Sequence, residues 1–164
     1  MASELSLERP ISLPGQLSRA LPLTLTGAIC IAAGGMVSAV TASTPSENAS
    51  WSAAYLVLVT GVAQVGLGMG QALLSSRPVT RRMVAAQFTA WNLGNGAVIT
   101  GTLVDVVWLV DVGGALLVVA LTLVLLSVRK GVPHRTWLLH GFRLLVAVLL
   151  VSIPIGLLLA RVEN

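Results

Sequence analysis

Leu21-Pro22-Leu23-Thr24-Leu25-Thr26-Gly27-Ala28-Ile29-Cys30-Ile31-Ala32-Ala33-Gly34-Gly35-Met36-Val37-Ser38-Ala39-Val40-Thr41-Ala42 is a run of 22 residues without a charge. The hydrocarbon core of a bilayer takes about 20 apolar residues in helical form, so this stretch is long enough to cross it. The same condition extends outward. Between Ala20 and Ser76 the only charged residue is Glu47, and between Met83 and Val128 there are only Asp105 and Asp111. Of the 164 residues, 55% are apolar and 10% are charged, with a mean hydropathy of +0.91. A soluble domain carries about 25% charged residues. Soluble globular, disordered, collagen-like and disulfide-scaffold classes are therefore excluded, and an all-α integral membrane protein is expected.

Four further apolar runs complete a bundle of five spans, at about 21–42, 52–75, 84–104, 109–128 and 141–160. They form one transmembrane domain, residues 20–161, after an N-terminal segment 1–19 and before a short tail 162–164. Lys and Arg near the span ends set orientation. With the N-terminus inside, Arg9, Arg19, Arg77, Arg81, Arg82, Arg129, Lys130, Arg135 and Arg143 face the cytoplasm and only Arg161 lies outside. The N-terminus is therefore expected inside and the C-terminus outside. Trp51 and Trp108 then fall at the outer interface and Trp137 at the inner one, where amphipathic rings sit. The net charge of +4 reads as this loop bias, with no nucleic-acid partner. Arginine outnumbers lysine nine to one, a habit of GC-rich bacterial genomes, which points to a bacterial inner membrane. Val40-Thr41-Ala42 resembles an export cleavage site, but the preceding run exceeds the usual 7–15 residues of a signal core, so retention is expected.

The polarity inside the spans is concentrated in the second and third. Span two carries Gln64 and Gln71; span three carries Gln87, Trp91, Asn92 and Asn95. An unpartnered amide in lipid is costly, so these residues should face protein. Span three is a poor membrane segment by itself and should depend on its neighbours. If spans two and three form an antiparallel hairpin about a loop centred near residue 79, Gln64 faces Asn95, Gln71 faces Gln87, and Gly68 faces Trp91. Interhelical hydrogen bonds at the two amide levels would contribute about 0.6–2 kcal/mol each. Gly66 with Gly70, and Ala97 with Gly101, are small-x-x-x-small pairs that let backbones approach closely.

Other candidates are weaker. Asp105 and Asp111 read as interface carboxylates, and Arg143 and Arg161 as snorkelling cations. His134 and His140 lack the spacing of metal ligands. Cys30 is the only cysteine, which excludes an intramolecular disulfide. Pro154 suggests a kink in span five. Leu73-Leu74-Ser75-Ser76-Arg77 recurs faintly as Leu125-Leu126-Ser127-Val128-Arg129, as any two leucine-rich helices ending at a basic edge would.

No P-loop, Gly-x-Ser-x-Gly, His-Glu-x-x-His or Cys-x-x-Cys is present. Amides do not act as acid, base or nucleophile at neutral pH. Neither enzyme activity nor a bound cofactor or metal is expected. The leading expectation is a structural or accessory subunit, or an assembly factor, partnered by the bilayer and by other membrane subunits or itself. The alternative is a small-solute carrier or channel formed by oligomerisation around the amide-lined hairpin. The charge count makes the topology testable. A reporter enzyme active only outside the cytoplasm, fused at Asn164, should be active and a fluorescent protein there dark; the reverse pattern overturns the five-span reading.

Overall fold

A computed structural model describes residues 13–75, 79–129 and 136–162. The cations Arg9, Arg77, Lys130 and Arg135, together with His134, lie outside the described residues. Five helices are present among those described. They are α1 (Leu13–Val40), α2 (Glu47–Leu74), α3 (Arg81–Leu103), α4 (Val107–Ser127) and α5 (Thr136–Val162). α1, α2, α4 and α5 are long and apolar enough to cross a membrane, so the chain is an all-α protein with four such helices. α3 is the exception. Its 23 residues span about 34 Å at 1.5 Å per residue, but its amides and threonines lower its apolarity, as expected of span three. α5 continues as helix through Pro154; side chains beyond Ile153, Arg161 among them, are outside the description.

Local chemistry sets the helix ends. Ser46 is extended at φ −124° and its side chain accepts from the Ala49 amide at 3.2 Å, capping α2 five residues before the apolar run begins. Thr80 caps α3 in the same way, accepting from the Met83 amide at 3.3 Å. Caps of this kind satisfy amides that have no partner within the helix. α3 and α4 are joined by three residues, with Asp105 at φ 54° and the Val106 amide donating to the Gly101 carbonyl at 2.8 Å. That 6→1 bond around a left-handed residue is a Schellman stop, and Asp tolerates the left-handed region better than most side chains. At the other end of α4, Arg143 from α5 donates to the carbonyls of Val128 and Arg129 at 2.8 and 2.7 Å. Its guanidinium satisfies the end of a neighbouring helix, a role beyond the snorkelling expected of it.

Helices pair through glycine. Where Gly27 and Gly61 face each other, a Cβ built on Gly27 would lie 2.9 Å from the Gly61 carbonyl oxygen, and one built on Gly61 would lie 2.5 Å from Ile31. Gly34 meets the Ala53 carbonyl in the same manner, at 2.8 Å. These contacts bind α1 to α2. Gly94 and Gly113 bind α3 to α4, a Cβ on either falling within 2.9 Å of the other's carbonyl oxygen. Gly101 adds a close approach to Val110 in the same pair.

The intimate pairs are therefore α1 with α2 and α3 with α4, whereas spans two and three were expected to pair. Gly68 packs against Leu23 of α1, away from Trp91, and Gly70 faces the Phe142 ring of α5, while Gly66 faces open space. Gly66 and Gly70 thus do not act as one packing motif. The apolar core lies where α2, α3, α4 and α5 meet, around Leu67, Trp91, Leu117, Leu121 and Val146. A smaller cluster of Leu74, Val128 and Leu139 closes the end where α2 and α4 stop. There the hydroxyl of Ser75 donates to the Ser127 carbonyl at 3.3 Å, so the serines of the two Leu-Leu-Ser ends meet.

The glycine contacts predict a sharp contrast. Gly61→Leu and Gly113→Leu should each lower unfolding stability by about 1–3 kcal/mol, the usual cost of overpacking. Gly66→Leu and Gly96→Leu, where nothing lies within 4 Å, should change it by less than about 0.5 kcal/mol. Denaturant titration in detergent measures the difference.

Candidate functional site: a buried amide seam

Gln64, Gln71, Gln87, Trp91 and Asn95 are all buried, with exposures of 0, 4, 1, 3 and 1%. Asn92 is half-buried. On α2, Gln64 and Gln71 are seven residues apart and share a face; on α3, Gln87, Trp91 and Asn95 repeat every four and form a stripe. The side chains turn to the protein interior, as the cost of placing amides in lipid requires. Thr60, one turn before Gln64, joins them at 5% exposure.

Burial has not brought the expected partners. Both polar atoms of Gln64, both of Gln87, Nε2 of Gln71, Nε1 of Trp91, Oδ1 of Asn95 and Oγ1 of Thr60 are buried without a hydrogen bond. The bonds expected between Gln64 and Asn95 and between Gln71 and Gln87 are not formed. The asparagines bond within their own helix instead: Nδ2 of Asn95 donates to the Trp91 carbonyl and Nδ2 of Asn92 to the Phe88 carbonyl, both at 2.8 Å. The physical reason lies in the pairing of helices. α2 is drawn toward α1 and α3 toward α4 by their glycines, so the two amide-bearing faces approach without closing to bonding distance.

The backbone beside the seam is unusual. Leu56–Ala63 is a π-helical stretch within α2, ending just before Gln64 and containing Thr60. π segments are rare and recur at functional sites, because their wider ring disturbs the i→i+4 ladder. Nothing in the spacing of Leu-Val-Leu-Val-Thr-Gly-Val-Ala announces it, and Thr60 went unnoticed among the candidates for that reason.

At the end of the bundle holding the C-terminus of α2, the seam reaches a cavity of about 20 Å³ lined by Gln16, Arg19, Gly68, Gln71, Ser75 and Val84, among others. About 10–15 Å³ suffices for a water molecule. Gln71 therefore has beside it a space of the right size for a hydrogen-bonding guest. Gln16 and Ser75, both buried, were missed because Gln16 precedes the first apolar run and Ser75 sits at a span end.

The remaining residues lie elsewhere. Asp105 occupies the left-handed turn between α3 and α4. His140 shares its Nδ1 hydrogen with the Thr136 carbonyl at 2.6 Å at the start of α5. Cys30 is half-buried as a free thiol. None joins the seam.

Unpartnered amides respond to substitution in the opposite way from bonded ones. Removing a buried group with no partner relieves about 1–3 kcal/mol of desolvation, whereas breaking a bond loses stability. Gln64→Leu and Gln87→Leu should leave thermal stability in detergent unchanged or raise it; a clear fall would mean that the amides are bonded across the helices. No protein-family model, curated protein or solved structure matches the chain, so its own geometry must carry the functional reading.

Proposed function

We propose that this chain is a non-enzymatic, five-span protein of a bacterial inner membrane whose amide seam binds small, neutral, hydrogen-bonding molecules on the scale of water. It would act as a carrier or channel element, completed by further copies or other subunits. The observation that carries this reading is the set of unpartnered polar atoms at the centre of the bundle. Oxygen acceptors on Thr60, Gln64, Gln87 and Asn95 stand beside N–H donors on Gln64, Gln71, Gln87 and Trp91. Donors and acceptors in such balance favour a neutral guest over an ion of either sign. Amide-only polarity also supplies no general acid or base.

Five spans are supported by the pairing of α3 with α4. A three-residue turn and the Gly94–Gly113 and Gly101–Val110 approaches hold α3 against α4 along its length, so α3 shares the depth of its strongly apolar partner. The indoles of Trp108 and Trp137 stand outward, 66 and 76% exposed, as belt residues at opposite interfaces would.

The accessory-subunit reading has its own support in the small size of the cavity. A space of about 20 Å³ admits water but no larger solute, and a bundle this slender encloses little more without partners.

Reconstituted vesicles separate the two readings. Wild-type protein should speed osmotic water exchange over protein-free vesicles, and Gln64→Leu with Asn95→Leu should abolish the increase while the protein stays folded and inserted. Unchanged permeability with wild-type protein, together with a defined heteromeric partner in mild detergent, favours the accessory reading instead.

A further inference from the structure

A second feature lies on the outside of the bundle, next to the small cavity at the end of the amide seam, with which it shares Arg19 and Val84. Between the N-terminal halves of α1 and α3 runs an open groove of about 640 Å³, within the range of small-ligand sites. Its walls are of two kinds. Arg19 from α1 and Arg81 from α3 line it, while Pro22, Val84, Ala85 and Phe88 supply apolar wall. One guanidinium nitrogen of Arg19 donates to the Val79 carbonyl, just ahead of α3, which ties the charge of α1 to the start of α3.

The placement of charge there is unfavourable without an anion. Arg81 and Arg82 open α3, and no acidic residue occupies its first turn. Cations at a helix N-terminus oppose the macrodipole, whose positive end already favours anions. α1 and α3 are separated by one antiparallel helix and so run in the same direction, bringing two positive helix ends to one groove. A phosphate bound between Arg19 and Arg81 would meet two guanidinium forks, for which its oxygens are well matched. The apolar floor would in turn suit a hydrocarbon chain and does not suit a free, fully hydrated anion.

We propose that the α1–α3 groove is a binding site for one anionic phospholipid, its phosphate held by Arg19 and Arg81 and an acyl chain laid against Pro22, Ala85 and Phe88. Basic pockets between spans on the cytoplasmic side take up anionic headgroups on the same physical grounds. A lipid seated there would also cover part of α3, the most polar of the five helices.

The test uses the full-length protein in mild detergent with added phosphatidylglycerol or phosphatidylcholine, read by native mass spectrometry and by thermal shift. Wild-type protein should retain phosphatidylglycerol in preference to phosphatidylcholine by about tenfold or more, given a contribution from each of two arginines. Arg19→Gln with Arg81→Gln should lose that preference, and Arg82→Gln with Arg129→Gln, which removes the same charge outside the groove, should keep it. Ala85→Leu fills the floor at an exposed position without changing charge, and should weaken retention even if the arginine variant fails to fold. Equal retention of the two lipids by wild-type protein overturns the proposal, as do equal losses in the two charge variants. Displacement by millimolar inorganic phosphate as effective as that by lipid also overturns it, since the acyl chain would then contribute nothing.

Discussion

Everything in this bundle depends on how closely two helix backbones approach where glycine leaves no side chain between them. In lipid the tails are as apolar as leucine, so helices gain little by hiding apolar surface from their surroundings, and packing decides which of them pair. Gly27, Gly34 and Gly61 bring α1 against α2, and Gly94, Gly101 and Gly113 bring α3 against α4. Each pair is a closely packed unit, and the two units meet across one face. Their meeting face holds the amides of α2 and α3, and the apolar core of Leu67, Trp91, Leu117 and Leu121 surrounds it.

This pairing explains why buried polar groups remain unbonded. An amide pair across two helices requires their axes to come within side-chain reach at the right rotation. The glycine contacts fix the rotation of α2 and α3 to suit α1 and α4, leaving the amides to accept whatever distance results. The asparagines answer by bonding back to carbonyls four residues earlier in their own helix. Glutamine has one more methylene and no such local bond is made by Gln64 or Gln87, both of whose polar atoms are left over.

Much of this was legible in the sequence, though unevenly. The apolar runs located all five helices, because a missing charge over 20 positions has few other physical explanations. Their starts were less legible: α1 begins at Leu13, eight residues ahead of its run and inside the segment 1–19 expected to precede it, and α5 begins at Thr136, five ahead. α2 begins at Glu47 instead of near residue 52, where the Ser46 side chain caps it by accepting from the Ala49 amide. The inward facing of Gln64, Gln87 and Asn95 was legible too, since lipid leaves amides no alternative. The choice of partners was not. A short loop between α2 and α3 suggested a hairpin, but the connection between α3 and α4 is shorter still, and the glycine contacts outweigh both. Those contacts follow spacings of seven, as in Gly27 with Gly34 and Gly94 with Gly101, whereas the four-residue pair Gly66 and Gly70 is split between open space and Phe142. Nor does one sequence announce the π segment that contains Thr60.

The energetic consequence reaches back to function. Six buried side chains hold unpartnered polar atoms along the seam, and at about 1–3 kcal/mol each they would cost about 6–18 kcal/mol if kept dry. Whole domains are stable by only about 5–15 kcal/mol. A dry seam is thus a burden of the same size as the stability of the fold, and glue that forms no bonds does not offset it. Water, or a neutral molecule of similar bonding capacity, removes the burden by meeting donors and acceptors together. Such a guest already has room beside Gln71. Gln64, the most fully buried of these amides, directly follows the π segment, whose wider ring lacks the regular ladder, so the backbone leading to it is also the least regular in the bundle.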